Sequence, residues 1–302
     1  MRKLIIDCDP GHDDIMAILT CLANDFEILG IVTVAGNQTL DKVTNNILKV
    51  EEYLGIDIPV YKGSDRPLVK NNEPQPLAHG ESGMDGPILP YPISKPQDEN
   101  YLDFYKDTLE NNDDVSILAL APLTNIGTLL NKYPYLSKKI SQILLMGGAL
   151  NGGNINKYAE FNIYHDPEAA KIVFDSDVEK VMAPLEVCYA GKIMLKEVER
   201  FHNSNKVSKL LYELFEFYNR YAIERNWDST AIFDVIPVIY MTDPDIFTYK
   251  KGGIEVVLDG KDTQGQTIYK EDGNVIVLTD VDRDKCMKIF FDAIDELDKR
   301  YS

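Results

Sequence analysis

The sequence has little of three things. Its four cysteines (Cys8, Cys21, Cys188 and Cys286) form no C-x-x-C pair. That excludes a zinc-ribbon site or a disulfide framework and fits small buried thiols in a reducing cytoplasm. Basic side chains are scarce, with 31 Lys and Arg against 49 Asp and Glu, a formal net charge of −18. A balance of that sign argues against nucleic acid or an anionic membrane as a partner. Long apolar runs are missing as well. The first, Leu4-Ile5-Ile6, stops at Asp7, too short for a signal-peptide core or a membrane span, so the expected location is the cytoplasm. What is present is 44% hydrophobic residues in a chain of 302, enough for a large core and too many for a disordered chain.

The pattern along the chain alternates strand and helix. Short β-favouring runs at 3–8, 27–34, 58–61, 115–120, 143–146 and 179–183 read as strands. The 13–23, 40–53 and 123–130 segments between them carry helical periodicity, and Asp166-Pro167-Glu168 starts another helix. The 204–224 segment reads as one long amphipathic helix, 234–240 as another, and 284–299 as the last. Strands are expected at 254–258 and 274–278. From 62 to 97 there is little periodicity and much Pro, Gly and Asn, the mark of a long functional loop. No linker or repeat divides the chain. The expectation is one α/β domain over 1–302, an open, mainly parallel sheet with helices on both faces.

The most informative segment is Asp7-Cys8-Asp9-Pro10-Gly11-His12-Asp13-Asp14, at the end of the first strand. Ligands in open α/β sheets bind outside the carboxyl ends of strands. Carboxylates crowded there repel one another unless a cation or protons compensate, and a hard divalent cation suits oxygen donors. Strand alternation places Asp7 and Asp9 on one side. Asp13 and Asp14 fall in the first helical turn, where acids are favoured with or without a function. An EF-hand fails, because its Gly and Glu positions hold His12 and Ile18. No P-loop, H-E-x-x-H or G-x-S-x-G motif occurs.

Asp7-Cys8-Asp9-Pro10-Gly11-x-Asp13-Asp14 resembles the signature of the inosine-uridine nucleoside N-ribohydrolases. Similar blocks recur in order: Val34-Ala35-Gly36-Asn37-Gln38-Thr39, His79-Gly80-Glu81-Ser82-Gly83, Pro122-Leu123-Thr124-Asn125, Leu145-Met146-Gly147-Gly148, Ala159-Glu160-Phe161-Asn162-Ile163 and Asp166-Pro167-Glu168-Ala169-Ala170. Asp234 extends the match. The resemblance implies the nucleoside hydrolase fold and hydrolysis of the N-glycosidic bond of ribonucleosides to ribose and free base, with bound Ca²⁺. It implies Asp9, Asp14, the Leu120 carbonyl and Asp234 as Ca²⁺ ligands, with Asp9 also the general base for the attacking water. Asp13, Asn37, Asn154, Glu160 and Asn162 would hold the ribose hydroxyls. A homodimer or homotetramer is implied too.

One position departs from the family pattern. Where many members carry His before the last Ca²⁺-binding Asp, this chain has Phe233. An imidazole can pass a proton to the leaving base and Phe cannot. His79, Tyr221, Arg225 and Trp227 are the candidates to compensate, and stacking of a base on Phe233 leans the expectation towards purine nucleosides. Leu211, Leu214, Phe215 and Tyr218 read as a core stripe, and Asp166 as a helix cap. Two other readings compete: a nucleoside-binding protein that has lost catalysis, and a haloacid-dehalogenase-type phosphatase with Asp7 as nucleophile, Asp9 as acid and Mg²⁺.

Overall fold

The computed structural model describes residues 1–74 and 76–301. At its centre is an eight-stranded sheet in the order β3-β2-β1-β4-β5-β6-β10-β9. The strands are β1 (Arg2–Cys8), β2 (Phe26–Thr33), β3 (Val60–Lys62), β4 (Val115–Ala119), β5 (Ile140–Met146), β6 (Lys180–Ala183), β9 (Phe247–Val256) and β10 (Thr267–Val281). A separate two-stranded ribbon pairs β7 (Ile193–Met194) with β8 (Ser229–Thr230). All pairings in the large sheet are parallel except β10 with β9.

Residue alternation splits the core in two. Leu4, Ile6 and Cys8 of β1 pack into one layer, with the helices His12–Ala23, Lys206–Tyr218, Val235–Thr242 and Arg283–Arg300. Ile5 faces the other layer, with Tyr105 and Leu109 of the helix Tyr101–Asn111, Ile126 of the helix Thr124–Lys132 and Val173 of the helix Pro167–Phe174. A central strand buried on both faces carries a continuous apolar run, as β1 does at Leu4-Ile5-Ile6.

The strand order reverses between β1 and β4, which makes this pair of strand ends the switch point where ligands collect. Asp7 lies opposite Ala119 in the register, so the chain leaves β1 beside Leu120.

Several expectations change. The 204–224 segment is broken at Asn219 into Lys206–Tyr218 and the short helix Arg220–Glu224. The two C-terminal strands are longer than their apolar centres suggested, because they form an antiparallel ribbon that runs out beyond the core. The helices Tyr101–Asn111 and Leu185–Ala190 were not foreseen. The 62–97 stretch, in which Gln75 lies outside the described residues, is irregular apart from one helical turn, Pro76–His79.

Candidate active site

Three carboxylates close on one point. Ligand atoms of Asp13, Asp14 and Asp234 all lie within 4.8 Å of one another, and all three residues are buried. Asp13 and Asp14 come from the first turn of His12–Ala23, and Asp234 precedes the helix Val235–Thr242. The fold brings them together by packing these two helices side by side in one layer.

Asp14 does the helix-start work that its position suggests, and more. Its Oδ2 accepts from the Gly11 amide at 2.9 Å and its Oδ1 from the Asp9 amide at 3.2 Å. Asp13 lies beside the Asp234 amide and the Tyr218 hydroxyl, both of which favour its charged form against burial. Burial raises the carboxyl of Asp234, and the charges of Asp13, Asp14 and Asp9 raise it further. Burial, then the Asp13 charge, pushes Asp14 up to about 7. Carboxylates that resist ionisation at such close range are the donor set of a hard cation, whose charge would replace the missing protons. The residues present therefore fit a divalent metal.

Asp9 stands beside this group without being one of the three. Its Oδ2 accepts from the Asn37 amide at 2.6 Å, and the Asn37 side-chain amide reaches the Asp9 carbonyl at 3.2 Å. Burial raises its carboxyl well above the usual range, and Asp14 adds to this. Such a group takes a proton readily. Gly36 makes the arrangement possible, since a Cβ there would fall 2.0 Å from Asp9 Oδ2.

The opposite wall comes from the loop after β5 (Ile140–Met146). Glu160 is buried at the start of the helix Phe161–His165. Its oxygens accept from the amides of Gly148 (2.9 Å), Asn162 (2.8 Å) and Ile163 (3.3 Å), and burial pushes it up to about 7. The Asn162 side chain donates to the carbonyls of Leu120 and Met146, both at 3.1 Å. Leu120 thus presents its carbonyl at the switch point, next to Asn162. Glu160 and Asn162 occupy a buried helix start.

Other expected residues are placed differently. Asn154 is exposed, and its Oδ1 holds the Phe161 amide at 2.9 Å. Tyr221 is half exposed with the Arg225 guanidinium 3.3 Å above its ring, and Trp227 meets the same ring edge-on. Phe233 meets the ring of Tyr189 edge-on, at 5.6 Å. His79 is buried against His12, Nδ1 to Nδ1 at 3.2 Å, and burial lowers it to about 4.

Asp7 does not join the cluster. β1 ends at Cys8, so alternation does not extend to Asp9. The Asp7 Oδ2 accepts from the Tyr105 hydroxyl at 2.6 Å and from Asn125 at 2.9 Å, inside the second core layer. A carboxylate enclosed in that way is not offered to a substrate, which removes the observation behind a phosphatase nucleophile.

Sequence reasoning missed two residues at the site. His12 bridges His79 and the Asp85 carbonyl (2.8 Å) and stacks on Phe217 and Tyr218. Tyr218, read as core, lies beside Asp13. Its place at the last turn of its helix, just before the break at Asn219, gave no sequence signal, because the 204–224 segment reads as one helix.

Residues 4–288 match the family model described as inosine-uridine preferring nucleoside hydrolase. The chain belongs to that family. A pyrimidine-specific ribonucleoside hydrolase, RihA, of Escherichia coli O1:K1 is 39% identical over 96% of this chain and 97% of its own. The same enzyme of Citrobacter koseri is 40% identical over 93% and 94%. Among solved structures, a purine-preferring ribonucleoside hydrolase from Gardnerella vaginalis superposes with a TM-score of 0.93 at 30% identity, covering 99% of this chain and 100% of that one. A plant nucleoside hydrolase, PpNRh1, gives 0.91 at 30% identity, covering 97% and 98%. The nucleoside hydrolase is therefore an α/β enzyme of the class that hydrolyses N-glycosyl compounds, with its buried carboxylates at the switch point of the sheet. Among the described residues no helix is long and apolar enough to cross a membrane.

Proposed function

We propose that this nucleoside hydrolase cleaves ribonucleosides to ribose and free base in a Ca²⁺-dependent reaction, with Asp9 as general base. The observation that carries the reading is the convergence of Asp13, Asp14 and Asp234 beside Asp9. Asp9, Asp14, Asp234 and the Leu120 carbonyl would hold the cation, with Asp13 next to them facing the sugar. When bound, Ca²⁺ supplies charge neutralisation of the carboxylates and acidifies and orients the attacking water.

The residues of the chain do the rest. Asp9, its carboxyl raised by burial, accepts the proton that the attacking water releases. The Asn37 amide fixes the orientation of that carboxylate. As the bond from C1′ to the base lengthens, positive charge grows on the ribose. The surrounding carboxylates, Glu160 among them, stabilise that charge electrostatically. Asp13, Asn37, Glu160 and Asn162 are the groups for the ribose hydroxyls, and Asn154 holds the loop beside them. Ordering the sugar against the water removes much of the entropic part of the barrier.

The half-buried Phe233 and exposed Tyr221 and Tyr189 give the base an aromatic wall, which supports a purine leaning. A pyrimidine preference is the second reading, favoured by the 39% identity to a pyrimidine-specific relative. The deciding experiment is a panel of ribonucleosides and deoxyribonucleosides with and without chelator. A larger kcat/KM for inosine than for uridine is expected, and a uridine preference overturns the purine leaning. Binding without base release would instead identify a nucleoside-binding protein. Four free, buried cysteines support a cytoplasmic setting. A single domain over 1–302 and a homodimer or homotetramer complete the proposal.

A further inference from the structure

The base side of the site lacks a free imidazole. Phe233 stands before Asp234, and the two histidines nearby are engaged with each other. The Asp85 carbonyl can only accept, so His12 Nε2 carries the proton of that contact. In the neutral ring, His12 Nδ1 is then an acceptor facing His79 Nδ1 at 3.2 Å, and the His12 amide points at the same His79 nitrogen from 3.5 Å. Both rings are buried and held by this pair of contacts.

The mouth of the site offers a phenol instead. Tyr189 lies on Leu185–Ala190, which follows β6 (Lys180–Ala183) at the carboxyl edge of the sheet. This helix is fastened to the site at three points. The Leu185 amide donates to the Gly148 carbonyl at 3.0 Å, and Glu186 Oε1 accepts from the amides of Leu150 and Asn151. The Cys188 thiol reaches the Phe233 carbonyl at 3.7 Å. Tyr189 is 48% exposed, and its ring packs edge-on against Phe233. Among the described residues its hydroxyl has no hydrogen-bond partner. Glu160 and Tyr221 are near enough for their charge to act on it. It therefore belongs to the aromatic wall, within electrostatic reach of Glu160, with its donor unused.

We propose that Tyr189 is the residue that hydrogen-bonds the departing base and delivers its proton. This rests on the nucleoside hydrolase reading of the same site. As the bond from C1′ to the ring nitrogen breaks, its electron pair moves onto the base. The Tyr189 Oη–H bond breaks towards a nitrogen or carbonyl oxygen of that base. Water supplies the hydroxyl that joins C1′, and its other proton goes to Asp9. The half-exposed phenolate regains a proton from solvent and Asp9 releases one to it, so the net change is nucleoside plus water to ribose plus base. Burial raises the phenol above its usual range, which keeps it protonated between turnovers.

The test compares Tyr189→Phe with Tyr221→Phe in the full-length, Ca²⁺-loaded protein. Phenylalanine retains the ring contact with Phe233, and equal melting temperatures check the fold. The substrates are inosine, uridine and 4-nitrophenyl β-D-ribofuranoside, whose nitrophenolate departs without needing a proton. For Tyr189→Phe, kcat on a nucleoside is expected to fall about 100-fold or more, the usual worth of a general acid, while kcat on the nitrophenyl riboside changes less than about threefold. Equal losses on both kinds of substrate, or a nucleoside loss confined to Tyr221→Phe, overturn the assignment. A wild-type protein that releases ribose from none of them overturns the hydrolase reading, and this inference with it.

Discussion

The Asn37 backbone amide donates to Asp9 Oδ2 at 2.6 Å across a gap that residue 36 keeps open by having no side chain. Gly36→Ala would place a Cβ 2.0 Å from that oxygen and 2.9 Å from Pro122 Cδ. Asp9 must then turn away. Overpacking of this kind costs about 1–3 kcal/mol, and misplacing a reacting group costs about 100-fold in rate. Urea unfolding and ribose-release kinetics check the two effects separately.

Asp9→Asn keeps the shape of the side chain and removes its capacity to take a proton. The expected outcome is a kcat lower by about 1,000-fold, within the range for losing a general base, with the fold intact and the melting temperature lowered only as far as the cation is held less tightly. Surviving activity would move the base to another residue.

Buried carboxylates that depend on a cation make stability depend on it too. Chelation is expected to lower the melting temperature and abolish turnover, with Ca²⁺ restoring both. In Asp234→Ala the chelator should make little further difference, because one member of the group that gathers Asp13, Asp14 and Asp234 is gone. Calorimetry with and without EGTA reads this directly.

Tyr218 sits beside Asp13, the residue proposed to face the sugar. Tyr218→Phe removes one hydrogen bond to a charged group, worth about 1.5–3 kcal/mol, and leaves the stacking on His12 intact. KM is expected to rise by more than kcat falls, since ribose positioning suffers while the base Asp9 does not. Steady-state kinetics on one nucleoside separate the two parameters.

Away from the site, burial pushes Glu51 up to about 7 from an ordinary 4.5, although the Ile58 amide opposes the shift. Between those values the folded protein holds a proton that the unfolded chain has released. This contribution to stability is therefore complete at low pH and is lost as pH rises through about 7. Glu51→Gln can still accept from the Ile58 amide and has no proton to lose. The melting-temperature advantage of the variant should open between about pH 5 and about pH 8 and then level off. A constant difference across that range would show that Glu51 does not titrate there.

The sequence made the sheet and most of the site legible for a physical reason. A carboxylate at a buried strand end is costly unless used, so Asp9 stood out, whereas Asn37, Glu160 and Asp234 were reached through the family resemblance. Asp166 was readable as a cap, and it does accept from the Ala169 amide. Pairings across the chain were not readable. Nothing local to Asp7 says that Tyr105 and Asn125 will claim its carboxylate. Tyr218 was hidden by periodicity, since a residue in register with Leu211, Leu214 and Phe215 reads as core until the helix is known to end there. Lys180 shows the same limit. Its charge argues for the surface, yet it is fully buried, with its ammonium on the carbonyls of Phe174 (3.2 Å) and Ser176.

Asp9 and Asp14 leave the ribosome early, and Asp234 leaves it late. Until the helix Val235–Thr242 has docked, the emerging chain carries an acidic, unneutralised notch with too few oxygens to keep a cation. A truncated product therefore retains the repulsion without its remedy. On the proposed reading, cation capture would come at the end of folding, as a seal that closes only once Asp234 is in place.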